Sequence, residues 1–184
     1  LTGRCVLPAF VDSHSHLVYA GTREQEFNLR LKGASYEEIA AAGGGILNSA
    51  GRVAATTQDE MQRQSALRLN RLIANGTGTL EIKSGYGLDP ENELKMLRTI
   101  KALNEASNAT LVPTFLAAHA LPSWAKTKGM NNATYTEYML DACLPTIKAE
   151  GLAQFLDGFI ERDYFKLTAL EHLIEASAEN GLQI

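Results

Sequence analysis

The stretch Ala9-Phe10-Val11-Asp12-Ser13-His14-Ser15-His16 decides how the rest of this chain is read. Its apolar start, with Pro8 tolerated at the edge, reads as a short buried strand from Ala9 to Asp12. Two imidazoles two residues apart follow it. Successive side chains on a strand point to opposite faces, so residues i and i+2 share one. His14 and His16 can therefore converge on one point at the end of that strand. Histidine is the commonest metal ligand near neutral pH. His-x-His pairs also arise by chance, and on this triplet alone both readings stand.

Working outward, strand and helix signals alternate. Ser35-Tyr36-Glu37-Glu38 fits a capping box and predicts a short helix running to Gly43, closed by the loop Gly43-Gly44-Gly45. Thr57-x-x-Glu60 is a second capping box, after which Met61, Leu69, Leu72 and Ile73 keep a helical period until Asn75-Gly76. Thr77 to Lys83 reads as a strand. Asp89-Pro90 opens a helix whose apolar face is Leu94, Leu97, Ile100 and Leu103. Thr110 to Phe115 is a third strand. Thr134-x-x-Glu137 caps a helix running toward Gly151, with Pro145 inside it as a kink. Phe155 to Ile160 is a fourth strand. Thr168-x-x-Glu171 starts a last helix with Leu170, Leu173 and Ile174 inward and Asn180-Gly181 as its stop, and a fifth strand begins at Leu182.

Four β-then-α units and the start of a fifth imply parallel strands with helices outside. Two architectures suit that pattern, an open doubly wound sheet and a (β/α)8 barrel. A full barrel takes ~250 residues. With 184 residues the chain holds part of one. No glycine-rich dinucleotide fingerprint follows the first strand, which counts against the doubly wound nucleotide-binding form. No phosphate-binding P-loop and no nucleophile elbow are present either. The first residue is Leu1, and Leu182-Gln183-Ile184 resembles the opening of a strand, so the sequence reads as an internal piece of a longer protein.

Composition narrows the function classes. The formal charge is −4, which argues against nonspecific nucleic-acid binding. No apolar run approaches the ~18 residues of a membrane helix. The two cysteines, Cys5 and Cys143, do not form a disulfide framework, and a reducing cytoplasm is the simplest location.

In a βα barrel the active site lies at the C-terminal ends of the strands. Here those ends carry Asp12 to His16, Glu81 to Gly87, Thr114 to His119, and Asp157 to Glu161. Each holds groups able to bind metal, move protons or hold a carboxylate. Each also has a plainer reading. His119 alone is a capped loop histidine, Tyr86 a turn aromatic, and Glu81 and Lys83 a cross-sheet pair. Arg23 with Glu24 and Glu26 is a surface ion pair, Glu161-Arg162-Asp163 a solvated loop, and Cys143 a core thiol.

Phe10-Val11-Asp12-Ser13-His14-Ser15-His16-Leu17 resembles the first-strand signature of the amidohydrolase superfamily. Further motifs follow in order. They are Ala20-Gly21-Thr22-Arg23 with Glu26-Phe27, Gly33-Ala34-Ser35-Tyr36 with Glu38-Ile39, and the triple glycine with Ile46. After these come Glu81-Ile82-Lys83-Ser84-Gly85-Tyr86-Gly87-Leu88 and Pro113-Thr114-Phe115-Leu116 with Ala118-His119-Ala120. That order resembles the imidazolonepropionase family, which works in histidine degradation, and the likeness runs from about Gly3 to the end. Ser15 stands where this family usually has threonine, Tyr19 where phenylalanine is common, and Ala118 where glycine is frequent.

The resemblance implies the N-terminal half of a (β/α)8 TIM barrel of the metal-dependent amidohydrolase type: strands one to four with their helices and the start of strand five. A second half-barrel and a small β-sandwich lie outside this sequence. It implies a cytoplasmic hydrolase that opens the ring of 4-imidazolone-5-propanoate to N-formimidoyl-L-glutamate, with one divalent or trivalent metal ion, zinc or iron. His14 and His16 match two metal ligands. Arg23, Tyr86 and His119 match substrate-contacting positions, with His119 also a catalytic candidate that can donate to the carbonyl oxygen as charge develops. The third metal histidine and a catalytic glutamate come from strand five in that family, and an aspartate from strand eight. His172, flanked by Glu171 and Glu175, faces solvent and is no substitute ligand. The implied partners are a small carboxylate-bearing substrate and, for the full-length protein, a second copy in a homodimer; neither nucleic acid nor membrane is implied. Two other expectations stand beside this one. A related amidohydrolase or deaminase would act on another small cyclic amide or amidine, and the 184-residue piece by itself would be inactive and prone to aggregate.

Overall fold

The structure is a computed structural model that describes residues 2–35, 38–39, 44–162 and 164–184. Its elements run β1 (Phe10–Ser15), α1 (Glu24–Leu31), α2 (Ile46–Ala55), α3 (Gln58–Ala74), β2 (Thr77–Lys83) and α4 (Pro90–Ala106). They continue with β3 (Thr110–Ala118), α5 (Ser123–Thr127), α6 (Asn132–Glu150), β4 (Phe155–Gly158) and α7 (Leu167–Asn180). The sheet order is β1-β2-β3-β4, with every neighbouring pair parallel. Gln183 adds an isolated parallel bridge to Phe155 where the sequence predicts a fifth strand to begin.

That order excludes the doubly wound alternative. A doubly wound sheet reverses its strand order partway across, and the reversal puts helices on both faces. Here the order never reverses. Each right-handed crossover then deposits its helix on the same side, and the sheet curls into an α/β half-barrel.

The side facing the helices is the core. Leu80 and Ile82 of β2, Leu111 and Phe115 of β3, and Leu156 of β4 are fully buried there. They meet Leu94, Leu97, Ile100 and Leu103, the stripe read from helical spacing in α4, all buried. Cutting a side chain such as Phe115 back to alanine costs ~3–5 kcal/mol at sites of this kind. Cys143 is fully buried in the same core, and burial raises its thiol pKa to about 12. The opposite side is lined by Val11, Thr79, Glu81, Lys83, Val112, Thr114, Phe155, Asp157 and Ile184. Val11 is 69% exposed and Ile184 59% exposed on this concave side. Among the described residues no helix is long and apolar enough to cross a membrane.

Helix ends differ from the expected positions in instructive ways. Thr57 caps α3 by accepting from the Glu60 N–H, but the Glu60 carboxylate turns outward to Arg63 and Gln64 instead of back to the cap. Helix α6 starts earlier than Thr134, because Asn131 is the cap and Thr134 is its reciprocal partner in the box. The helix then continues through Pro145 to Gly151, a left-handed C-cap with φ +62°. α7 begins at Leu167, ahead of Thr168. Its inward face is Ala169, Leu173 and Ser177, while Ile174, expected inward, is 50% exposed. Ser35 and Glu38 do exchange the two capping-box bonds, at 2.7 and 3.1 Å. The rest of that predicted helix, from 40 to 43, lies outside the described residues.

Candidate metal and substrate centre

The C-terminal edge of the sheet gathers side chains from three strand ends. Strand β1 stops at Ser15, and the His14 and His16 rings stand edge-to-face with centroids 6.0 Å apart. The strand is irregular here, since its register against β2 shifts between Asp12 and Ser15. Ser15, between the histidines, is pinned to β2. Its hydroxyl donates to the Glu81 carbonyl at 2.6 Å and its N–H to the Glu81 carboxylate at 3.4 Å. Glu81 is itself held by the Thr114 hydroxyl and by Lys83 at 2.9 Å, and Lys83 reaches Asp157 at 2.6 Å. Burial opposes the charge on Lys83, but its hydrogen bonds to Asp157 and Glu81 and their charges outweigh it, so its pKa moves up. The cross-sheet pair foreseen for Glu81 and Lys83 is thus one part of a polar chain running from β1 to β4.

His16 is the hub of the cluster. Its ring stacks on His119 at 5.3 Å and 10°, and lies 4.9 Å from Tyr86. Burial, and then the neighbouring His119 and His14, push its pKa down to about 4. It is neutral at pH 7, the form that ligates metal. Its Nδ1 is buried with no hydrogen-bond partner, which is costly unless a group from outside the protein takes it. That atom and the His14 ring beside it suit a metal ion. Among the described residues no group of three or more His, Cys, Asp or Glu side chains is placed to hold one, so these two donors need others to complete a shell.

His119 is fixed by its backbone partner. Nδ1 lies 2.7 Å from the Gly85 carbonyl oxygen. A carbonyl only accepts, so the proton sits on Nδ1 and the Nε2 lone pair is left free. Burial lowers the pKa of this ring too. In that neutral form Nε2 accepts, and the donor role expected for His119 requires a protonated ring. Gly85 has no room for a side chain, as a Cβ there would sit 2.7 Å from His119 Nδ1.

Tyr86 and Arg23 close the other side. Both line a cavity with His16, Tyr19, Gly21, Thr22 and Ser49. Burial raises the Tyr86 pKa against the opposing charge and hydrogen bond of Arg23, so the phenol keeps its proton and can donate. Arg23 also makes the surface ion pair foreseen for it, 3.7 Å from Glu26. Glu161 and Arg162 are exposed, and Asp163 lies outside the described residues. His172 is half-buried between α6 and α7, 3.9 Å from Glu137 and far along the chain from this centre.

One participant escaped the sequence reading. Glu93, 1% exposed, accepts the N–H groups of Gly85, Gly87 and Leu88 at 2.7, 2.6 and 2.9 Å. In sequence it resembles any acid in a first helical turn, where it suits the helix dipole. The signal was the Gly85-Tyr86-Gly87 loop just ahead of it, whose N–H groups need an acceptor.

No family model matches the chain. Its whole length is nevertheless similar to proteins named imidazolonepropionase. The relative from Christiangramia forsetii is 47% identical over 182 residues, covering 99% of this chain and 44% of its own length. That from Flavobacterium psychrophilum is 48% identical over 180 residues, 98% of this chain and 43% of its own. That from Symbiobacterium thermophilum is 42% identical over 183 residues, 99% of this chain and 42% of its own. The chain thus spans a little under half the length of the curated relatives it matches.

Proposed function

We propose that this chain is the N-terminal part of an imidazolonepropionase, and that its half-barrel supplies one side of an active site for opening a cyclic amide. The observation that carries the proposal is the single cluster of His14, His16, Tyr86 and His119 at the strand ends with Arg23, the N-cap of α1, lining the same cavity as His16 and Tyr86, in a chain similar along its whole length to proteins of that name. Hydrolysis of 4-imidazolone-5-propanoate adds water across the ring C–N amide bond. The carbonyl carbon becomes a carboxylate and the released nitrogen takes a proton, giving N-formimidoyl-L-glutamate.

Zinc or iron, held by His14, His16 and donors outside this sequence, would polarise the ring carbonyl and lower the pKa of a bound water to ~7. The remaining work belongs to side chains described above. Arg23 offers a planar fork of donors suited to the propionate. Tyr86, protonated, donates to a carboxylate or ring oxygen. His119 presents the Nε2 lone pair to a ring N–H and so sets the orientation of the ring. The stacked faces of His16, Tyr86 and His119 exclude water from one side of it. The amidohydrolase barrel type, the cytoplasmic location and a homodimer of the full-length protein, which the motif resemblance implies, complete the proposal.

The test is direct. The full-length polypeptide carrying this sequence, supplied with zinc or ferrous iron, is incubated with 4-imidazolone-5-propanoate. We expect loss of the imidazolone absorbance with matching formation of N-formimidoyl-L-glutamate. Release of ammonia from other cyclic amidines, with the imidazolone left intact, would assign the site to a deaminase instead.

A further inference from the structure

We infer that Glu93 is a positioning residue: its buried carboxylate accepts the N–H groups of Gly85, Gly87 and Leu88 and so fixes the loop 84–88 beside the centre, which places both the Gly85 carbonyl that sets the His119 tautomer and Tyr86 between the two anchored glycines. Nothing in the sequence signature of the site assigns this residue a role. The inference deepens the proposed hydrolase function and rests on it only where substrate turnover is concerned.

The geometry is a cradle built from both ends. Loop 84–88 leaves β2 and must reverse into α4. Gly85 takes φ +100°, and Leu88 takes φ +57°, a left-handed conformation unusual for a branched residue. From below, the Glu93 carboxylate accepts three loop N–H groups, with one oxygen on Gly87 and Leu88 and the other on Gly85. The Ser84 hydroxyl is a further partner. From outside, the Leu88 carbonyl accepts from Trp124 Nε1 and the Tyr135 hydroxyl, both at 3.2 Å. A Cβ on Gly87 would meet the Glu93 backbone nitrogen at 2.4 Å, so the loop lies directly on the start of α4. Among the described residues no cation pairs with this carboxylate. Its partners are N–H groups and a hydroxyl, and all of them belong to the loop. A carboxylate buried in this way is expensive. Its return is a loop whose Gly85 carbonyl stands 2.7 Å from His119 Nδ1 and whose Tyr86 ring stands 5.5 Å from the His119 ring.

Substitution by glutamine separates this role from simple packing. A carboxylate accepts at both oxygens, whereas an amide accepts at one and donates at the other. Keeping the oxygen on Gly87 and Leu88 turns the amide NH2 toward the Gly85 N–H, donor against donor. That end opens and takes the Gly85 carbonyl away from His119. The volume of the side chain hardly changes.

The experiment uses the full-length polypeptide with 15N-labelled histidine, the His119 signal being assigned by its loss in His119→Gln. Wild type should show a protonated Nδ1 and an unprotonated Nε2 at His119. Glu93→Gln should shift the population toward the Nε2–H tautomer and lower kcat/KM for 4-imidazolone-5-propanoate by ~10–100-fold, the range seen when an outer partner of a site is lost. A wild-type His119 protonated on Nε2 would overturn the inference, as would a folded Glu93→Gln with both tautomer and kinetics unchanged. Should Glu93→Gln not fold, the wild-type amides of Gly85, Gly87 and Leu88 decide. Slow exchange supports a carboxylate clamp, and exchange at open-loop rates contradicts it. A tautomer shift in Glu93→Gln, in a polypeptide that opens no imidazolone ring, would leave the positioning role standing and overturn the hydrolase assignment alone.

Discussion

His16→Ala in the full-length polypeptide lowers kcat/KM for ring opening by more than ~100-fold, beyond the ~10–100-fold loss typical of an outer partner of a metal site, and strips most of the bound metal. His16 is the only described histidine ring here within 5.5 Å of both Tyr86 and His119. Its Nδ1 has no protein partner to lose. The mutation removes that unpartnered nitrogen from the centre while the adjacent core residues Leu17 and Val18 stay buried. Far-ultraviolet circular dichroism should match wild type while metal content, measured by atomic absorption, falls. A variant that keeps stoichiometric metal and wild-type turnover would remove His16 from the centre.

Arg23→Ala has the second largest expected effect, and it falls on KM. Hydrogen bonds to a charged group contribute ~1.5–3 kcal/mol, which corresponds to roughly a 10- to 100-fold rise in KM for a propionate-bearing substrate. The Arg23–Glu26 pair at 3.7 Å is partly exposed. Surface pairs of this kind contribute ~0–1 kcal/mol, so the melting temperature should change little. The useful comparison is a ring analogue without the propionate. Arg23→Ala should leave its KM unchanged. Equal losses for both substrates, or none for either, would mean that Arg23 does not hold a carboxylate. The site would then suit a neutral cyclic amide or amidine, as in a deaminase.

Much of the fold was legible because its signals are local and periodic. The α4 stripe of Leu94, Leu97, Ile100 and Leu103 follows from the 3.6-residue turn, and Asp89-Pro90 marks its start. Strand β2 falls on Thr77 to Lys83 as read. Boundaries failed where two capping residues compete. Asn131 and Thr134 both bond at the start of α6, and the sequence alone does not say which is the cap. Ile174 departs from its expected place because α7 meets β4 and α6 along the face of Ala169, Leu173 and Ser177, with Ala176 packed beside them, and Ile174 lies off that face.

The site divides in the same way. His14, His16, Tyr86 and His119 stand out by residue type and by place at strand ends, and Arg23 through the motif resemblance. What the sequence could not convey is who holds them. The Ser15–Glu81–Lys83–Asp157 chain and the Glu93 cradle include hydrogen bonds between residues separated by 66, by 74 and by 5 to 8 positions. The long links depend on strand register. The short one depends on a loop conformation that a sequence of glycines permits without specifying. His119 shows the consequence. Its residue type allows donor and acceptor alike, and only the Gly85 carbonyl at 2.7 Å makes the neutral ring an acceptor at Nε2.

In the proposed centre one mouth holds a metal at His14 and His16 and a carboxylate at Arg23. A crystal structure of the full-length, zinc-loaded protein with a non-hydrolysable analogue of 4-imidazolone-5-propanoate tests it most directly. The metal is expected on both histidines, the propionate within hydrogen-bonding distance of Arg23 and Tyr86, and the ring against His119 Nε2. A propionate bound away from Arg23, or a metal that touches neither His14 nor His16, would contradict it.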